Sequence, residues 1–149
     1  LGVVKELNRN ELFYAVKNSG AFLNGHQIYV STTNNLSNSL VATGFPYYDF
    51  EYIESYTNTL KYLMTHTRGI WRLGSAVIDL CFTACGRFDL FFEYSLSPWD
   101  VAAGALILQE AGGMVTDFKG ANNWLHGQQI IGSNQNLSEE TLLLLKKYF

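Results

Sequence analysis

Three short stretches of this chain combine residue types that can hold a hard cation and a ligand rich in oxygen. Asp100 stands in Pro98-Trp99-Asp100-Val101-Ala102-Ala103-Gly104, which runs on to Glu110-Ala111-Gly112-Gly113. At the mouth of a helix Asp100 would be the N-cap, accepting an orphan amide of the first turn, while Gly112 or Gly113 closes the far end. A carboxylate on so rigid a platform suits a hard cation; an ordinary capped helix uses the same residues without any ion. The second stretch, Gly74-Ser75-Ala76, reads as a turn into a helix whose first backbone amides face whatever lies ahead of them. It is either a subsite for the oxygens of a ligand or a plain strand-to-helix turn capped by Ser75. The third is Glu93, directly after Phe91-Phe92. An ionised carboxylate offers several lone-pair positions to vicinal alcohols, whereas an acid exposed at a strand end needs no ligand.

These residues need elements to carry them. Glu11 to Val16 alternates around Leu12, Tyr14 and Val16, and a glycine-bearing turn leads to Gln27-Ile28-Tyr29-Val30, so the first thirty or so residues read as strands. Thr32 to Ser39 is polar and marks a link, after which Leu40-Val41-Ala42-Thr43 reads as a short buried strand. From Tyr47 to about His66 the spacing predicts a helix, with Ile53, Tyr56 and Leu60 on one side. Arg68 to Leu73 predicts a strand, then come the Gly74 turn, a helix through Cys85 closed by Gly86, and an aromatic strand from Phe88 to Tyr94. The helix of Asp100 is expected to bury Ala102, Ala103, Leu106 and Ile107. Strands around Met114 to Asp117 and Gln129 to Gly132 follow, and Ser138 is expected to cap a last helix that ends at Lys146-Lys147. Alternating strands and helices imply an α/β fold. Its expected parts are residues 1–33, strands of a first lobe, and 34–149, a second α/β lobe. Successive strand–turn–helix units would bring Ser75, Glu93 and Asp100 to one sheet edge, where ligand sites of such folds lie.

Composition narrows the classes. With 149 residues, 48% of them hydrophobic, the chain can bury one core of domain size. Its apolar runs are broken by Asp79, Arg87, Glu93 and Gln109 and none approaches a membrane span. A net charge of −3 with ten scattered basic residues lacks the stripe that a nucleic-acid surface requires. Cys81 and Cys85 would stack on one helix face as core thiols, and His26, His66 and His126 are far apart in sequence. Neither a zinc set nor a disulfide framework is expected, and a reducing cytoplasm fits. Arg68, Arg72 and Arg87 could approach a phosphate but read first as surface partners of acids, Trp71, Trp99 and Trp124 read as core or rim aromatics, and Asp89 as structural.

The string from Pro98 to Gly113 resembles the second signature of the inositol monophosphatase family, the magnesium-dependent, lithium-sensitive sugar and polyol phosphatases. Gly20-Ala21-Phe22-Leu23-Asn24-Gly25 resembles the family's hairpin, Gly74-Ser75-Ala76 its substrate-contacting loop, and Glu93 the glutamate that binds ring hydroxyls in inositol-specific members. The resemblance implies the C-terminal part of a layered αβαβα sugar-phosphatase fold: a mixed sheet flanked by helices, plus strands of an incomplete first sheet. It implies Mg2+ as cofactor with Asp100 as a metal ligand and substrate contact, and Gly74, Ser75, Ala76 and Glu93 as substrate-binding residues. The implied reaction is in-line attack of water on a phosphate monoester, with inositol monophosphate the first substrate and fructose 1,6-bisphosphate a close second. A homodimer is implied as well. The family's first metal signature, of the type Asp-Pro-(Ile/Leu)-Asp-Gly-Thr, does not occur in these residues. Its companion ligands are therefore expected from an N-terminal half of the same enzyme, and the chain alone is expected to be inactive. The alternative is a lobe that binds or assembles without catalysis.

Overall fold

Period-two burial builds the first sheet in the computed structural model, which describes residues 1–149. In β1 (Gly2–Glu6) residues 2, 4 and 6 are buried and residues 3 and 5 exposed, as expected of a strand covered on one face. β2 (Glu11–Ala15), β3 (Ala21–Leu23) and β4 (His26–Ile28) continue an antiparallel sheet in the order β1-β2-β3-β4. Between β3 and β4, Asn24 and Gly25 take positive φ of 49° and 84°, the left-handed pair that a two-residue hairpin needs.

The second sheet holds β5 (Leu40–Thr43), β6 (Gly69–Trp71), β7 (Leu90–Tyr94), β8 (Met114–Thr116) and β9 (Gln129–Ser133) in the order β6-β5-β7-β9-β8. β5 runs parallel to β6 and β7, while β9 is antiparallel to β7 and β8. The sheet is therefore mixed. Its helices are α1 (Ile53–His66), α2 (Ala76–Ala84), α3 (Pro98–Glu110) and α4 (Ser138–Tyr148).

Strand alternation sorts the core into two layers. Phe91 of β7 and Ala42 of β5 pack with α2, α3 and the inner face of the first sheet, whereas Leu90, Phe92 and Tyr94 pack with α1 and α4. The order is first sheet, α2 and α3, second sheet, α1 and α4. Because α3 lies between two sheets and beside α2, it is apolar almost all round. Gly104 lets it approach closely: a methyl group there would stand 2.8 Å from the Leu80 Cβ on α2. At its other end Glu110 accepts the amides of Asn18, Ser19 and Gly20 at 2.8, 3.1 and 3.0 Å, tying α3 to the β2–β3 turn. Those three bonds hold the Glu110 carboxyl below its usual range.

Several sequence expectations need correction. Asp100 is not the N-cap of α3; Ser97 is, Pro98 opens the first turn, and Asp100 is the third helical residue. The face of α3 that is fully buried comprises Val101, Gly104, Ala105 and Leu108 together with Ile107, and Ala102 is exposed. Periodicity could not choose a face because both sides of the helix meet protein. α1 begins at Ile53 rather than near Tyr47, so residues 45–52 form a loop. Leu137, not Ser138, is the cap residue of α4; the Ser138 hydroxyl donates to the Gln135 carbonyl at 2.8 Å, and Asn134 Oδ1 accepts the Leu137 amide. The strands expected at 68–73 and 88–94 shorten to β6 and β7.

Candidate functional site

Where consecutive crossovers part to opposite faces of a parallel sheet, the chain leaves a crevice beyond the carboxyl ends of the strands. β5 connects to β6 through α1 on one face, and β6 connects to β7 through α2 on the other. A cleft of about 440 Å³ opens at the carboxyl ends of these three strands. Its walls come from the residues after β5 (Gly44 to Tyr48), those after β6 (Arg72 to Val77), and those from Glu93 to Asp100. Gly74, Ser75, Ala76, Glu93 and Asp100 all line it.

The α2 end of the cleft is rich in donors. Gly74 has φ +91°, which turns the chain out of β6 and into the helix. Ser75 caps α2 with extended backbone, yet its hydroxyl makes no cap bond. Its carbonyl accepts the Ile78 and Asp79 amides at 3.0 Å each, while the amides of Ala76 and Val77 have no backbone partner. The α3 end is closed. Asp100 Oδ2 accepts the Ser97 amide at 2.9 Å and the Ser97 carbonyl accepts the Asp100 amide at 3.0 Å, which leaves Oδ1 without a protein partner.

Glu93 shares its side of β7 with Phe91 and so points toward the α2 and α3 layer. Burial pushes its carboxyl up to about 7, the negative charge of Asp100 adds to the rise, and the Arg72 guanidinium opposes it. Of the two sequence readings of Glu93, a hydroxyl acceptor or a surface acid, the second does not hold, since the residue is buried to 9% exposure.

Two features, one buried behind the cleft and one lining it, were missed or undervalued. Asp79, in the first turn of α2, is fully buried, and neither carboxylate oxygen has a hydrogen-bond partner. Burial lifts its carboxyl to about 8, Glu93 adds to the rise and Arg72 opposes it. The one signal in the sequence was an acid inside the otherwise apolar run Ala76-Val77-Ile78-Asp79-Leu80-Cys81-Phe82. Arg72, expected as a scattered surface cation, is the sole cation lining the cleft and stacks over the rings of Phe45 at 5.2 Å and Tyr47 at 5.5 Å. By contrast Arg87 pairs with Glu11 at 2.6 Å, as a surface reading expects. Trp99, 80% exposed, stands on the rim. Asp89 is structural: it accepts the Ser31 hydroxyl and the Leu40 amide and so anchors the start of β5. The Cys81 thiol is buried, and burial raises it beyond any reactive range.

A divalent ion asks more of the cleft than this chain brings. No three His, Cys, Asp or Glu side chains converge closely enough to hold one. Magnesium takes six oxygens, and Asp100 Oδ1 is a single candidate. These residues could supply one ligand, not a complete site. No helix is long and apolar enough to cross a membrane.

Layer order, mixed sheet and cleft define an α/β protein with an open cleft at a topological switch point. The chain belongs to the inositol monophosphatase family, whose sequence profile matches residues 1–148. Among curated relatives, the putative Nus factor SuhB of Neisseria meningitidis serogroup B is 43% identical over 140 residues, 94% of this chain and 54% of that protein. Nus factor SuhB of Escherichia coli K12 is 41% identical over 142 residues, 95% of this chain and 53% of that one. The chain thus spans about half the length of the curated relatives it matches. Among solved structures, the extragenic suppressor protein suhB of Bartonella henselae superimposes with a TM-score of 0.93 at 37% identity, covering 99% of this chain and 56% of the other. A Thermotoga maritima IMPase gives 0.88 at 35% identity, covering 98% and 55%.

Proposed function

We propose that this chain is the C-terminal part of a magnesium-dependent phosphatase that hydrolyses a phosphate monoester, with inositol monophosphate as first substrate. The observation that carries this reading is the meeting of a donor-rich helix end, a buried glutamate and an aspartate with one free oxygen in a single cleft. The Ala76 and Val77 amides and the positive end of the α2 dipole attract an anionic, oxygen-rich ligand. Glu93, when ionised, accepts hydrogen bonds from ring hydroxyls and so orients the polyol. Asp100 offers Oδ1 as one metal ligand. Magnesium, when bound, supplies charge neutralisation to the phosphoryl group. We further propose that the remaining ligands come from an N-terminal half of the same enzyme, whose strands extend the sheet begun by residues 1–33, and that the active form is a homodimer.

The test is a substrate panel: inositol 1-phosphate, fructose 1,6-bisphosphate and phosphoadenosine phosphate, assayed with and without magnesium. It is run on the 149-residue chain alone and on the chain joined to the proposed N-terminal half. Activity is expected only from the joined protein, with inositol 1-phosphate preferred. Robust magnesium-dependent release by the chain alone would overturn the argument that half of the site lies elsewhere. A second reading, a lobe that binds or assembles without hydrolysis, draws on the designation of the curated relatives as Nus factors. A folded joined protein that releases phosphate from no member of the panel would favour it.

A further inference from the structure

Glu93 is the one acid lining the cleft that the chain holds by no hydrogen bond, so its position must be set by packing. Its carboxylate lies directly over the backbone of Gly44, the buried residue that follows β5. A methyl group added at Gly44 would overlap the Glu93 carboxyl carbon and both of its oxygens, and these are the three nearest atoms it would meet. The backbone of Gly44 is not left-handed, so any residue could adopt its conformation. The nearest obstacle to a side chain there is the Glu93 carboxylate.

Gly44 is itself clamped from the other face of the sheet. Its carbonyl accepts the Tyr56 hydroxyl at 2.6 Å. The Thr43 hydroxyl donates to the Phe92 carbonyl at 2.8 Å and lies 3.2 Å from the Tyr56 hydroxyl. Tyr56 is 2% exposed, and its burial pushes the phenol up to about 12, so it remains a donor at any physiological pH. Alternation explains the division of labour: Thr43 faces α1 and pairs with Phe92 across the parallel ladder, while Gly44 and Glu93, the next residue of each chain segment, face the layer of α2.

We propose that Gly44 is a specificity-determining position: its missing side chain forms the notch that seats the Glu93 carboxylate, and Thr43 and Tyr56 hold that notch against β7. This rests on the reading of the cleft as a polyol-phosphate site, and it adds a residue in the cleft wall that acts by seating Glu93. Gly44 is a positioning residue, acting through Glu93.

The test is Gly44→Ala in the joined protein, compared on inositol 1-phosphate and on p-nitrophenyl phosphate, which has no vicinal hydroxyls. The variant is expected to fold, because the group that must yield is the end of a flexible side chain. KM for inositol 1-phosphate should rise about tenfold or more, the loss of charge-assisted hydroxyl bonds, with kcat within about threefold and p-nitrophenyl phosphate kinetics unchanged. Shortening the acid in the double variant Gly44→Ala/Glu93→Asp should bring KM back toward the wild-type value. Equal losses on both substrates, an unchanged KM, no rescue, or a variant that does not fold would each overturn the proposal. If the wild-type protein hydrolyses neither substrate, the phosphatase reading falls, and a crystal structure of the Gly44→Ala chain decides the notch separately. A displaced Glu93 carboxylate over an unmoved β5 upholds it; an undisplaced carboxylate or a shifted backbone overturns it.

Discussion

The first turns of α2 and α3 meet at the same cleft and treat their unpaired amides in opposite ways. α3 closes its own end, with Asp100 taking the Ser97 amide, and so presents a carboxylate to the cleft. The cap serine of α2, like that of α3, makes no side-chain cap bond, but α2 has no acid reaching back to it and so presents free donors. A helix that satisfies itself leaves an acid for a cation, and one that does not leaves a binding surface for an anion. The difference continues one turn inward. Asp100 is hydrogen-bonded at the cleft, whereas Asp79 of α2 is fully buried with no partner. At the cleft surface α2 therefore presents donors and α3 a carboxylate.

The strongest way to break this comparison is Asp100→Asn. An amide oxygen can still accept the Ser97 amide, so the melting temperature should stay within a few degrees. Magnesium-dependent hydrolysis by the joined protein should fall by about a hundredfold or more, since even groups behind metal ligands are commonly worth that much. Wild-type turnover in this variant would remove Asp100 from the metal site. Next comes Glu93→Gln, which should cost about tenfold in kcat/KM on inositol 1-phosphate and little on p-nitrophenyl phosphate. Equal effects on the two esters would show that Glu93 does not read hydroxyls.

The buried acids give a prediction about pH. In the unfolded chain Asp79 and Glu93 titrate at ordinary values of 3.8 and 4.5, and in the fold at about 8 and about 7. Between those limits the native state binds more protons than the unfolded one, so stability is greatest in acid and is lost as pH rises through 7 and 8. Urea midpoints at pH 5 and pH 8 without magnesium should fall with pH for the wild type, and Asp79→Asn should remove most of the slope. Parallel slopes in the two proteins would mean that Asp79 finds a partner in solution. The smallest effect is expected for Ser75→Ala. With no cap bond to lose, it should change stability by less than about 0.5 kcal/mol, where a working N-cap serine would cost about 1 kcal/mol. A full cap penalty in thermal denaturation would erase the contrast between the two helix ends.

Much of this arrangement can be read from short windows of sequence. Gly86 and Gly112 end α2 and α3 in left-handed conformation, at φ 74° and 88°. In each case the amide of the next residue reaches back five positions, Arg87 to Phe82 and Gly113 to Leu108, both at 2.9 Å. The strand–turn–helix order around Ser75, Glu93 and Asp100 was equally visible. Caps were harder. The sequence offered Asp100 as the start of α3, three residues beyond the true cap Ser97, because an acid at the third helical position and an N-cap acid look alike in a short window. The buried face of α3 was not readable, because a helix enclosed by two sheets and a neighbour carries no strong apolar stripe.

The sequence by itself determined the alternation of strands and helices, the glycine-closed helix ends and the set of acids, since each depends on contacts within a few residues. Only the tertiary structure decided which acid would lose its water, which arginine would face the cleft, and that Gly44 would lie beneath Glu93. Gly44 and Glu93 are far apart in the chain and meet because β5 pairs with β7 and both present alternate residues to the α2 layer. Desolvation and close approach are properties of layers brought together by folding, and no local pattern records them.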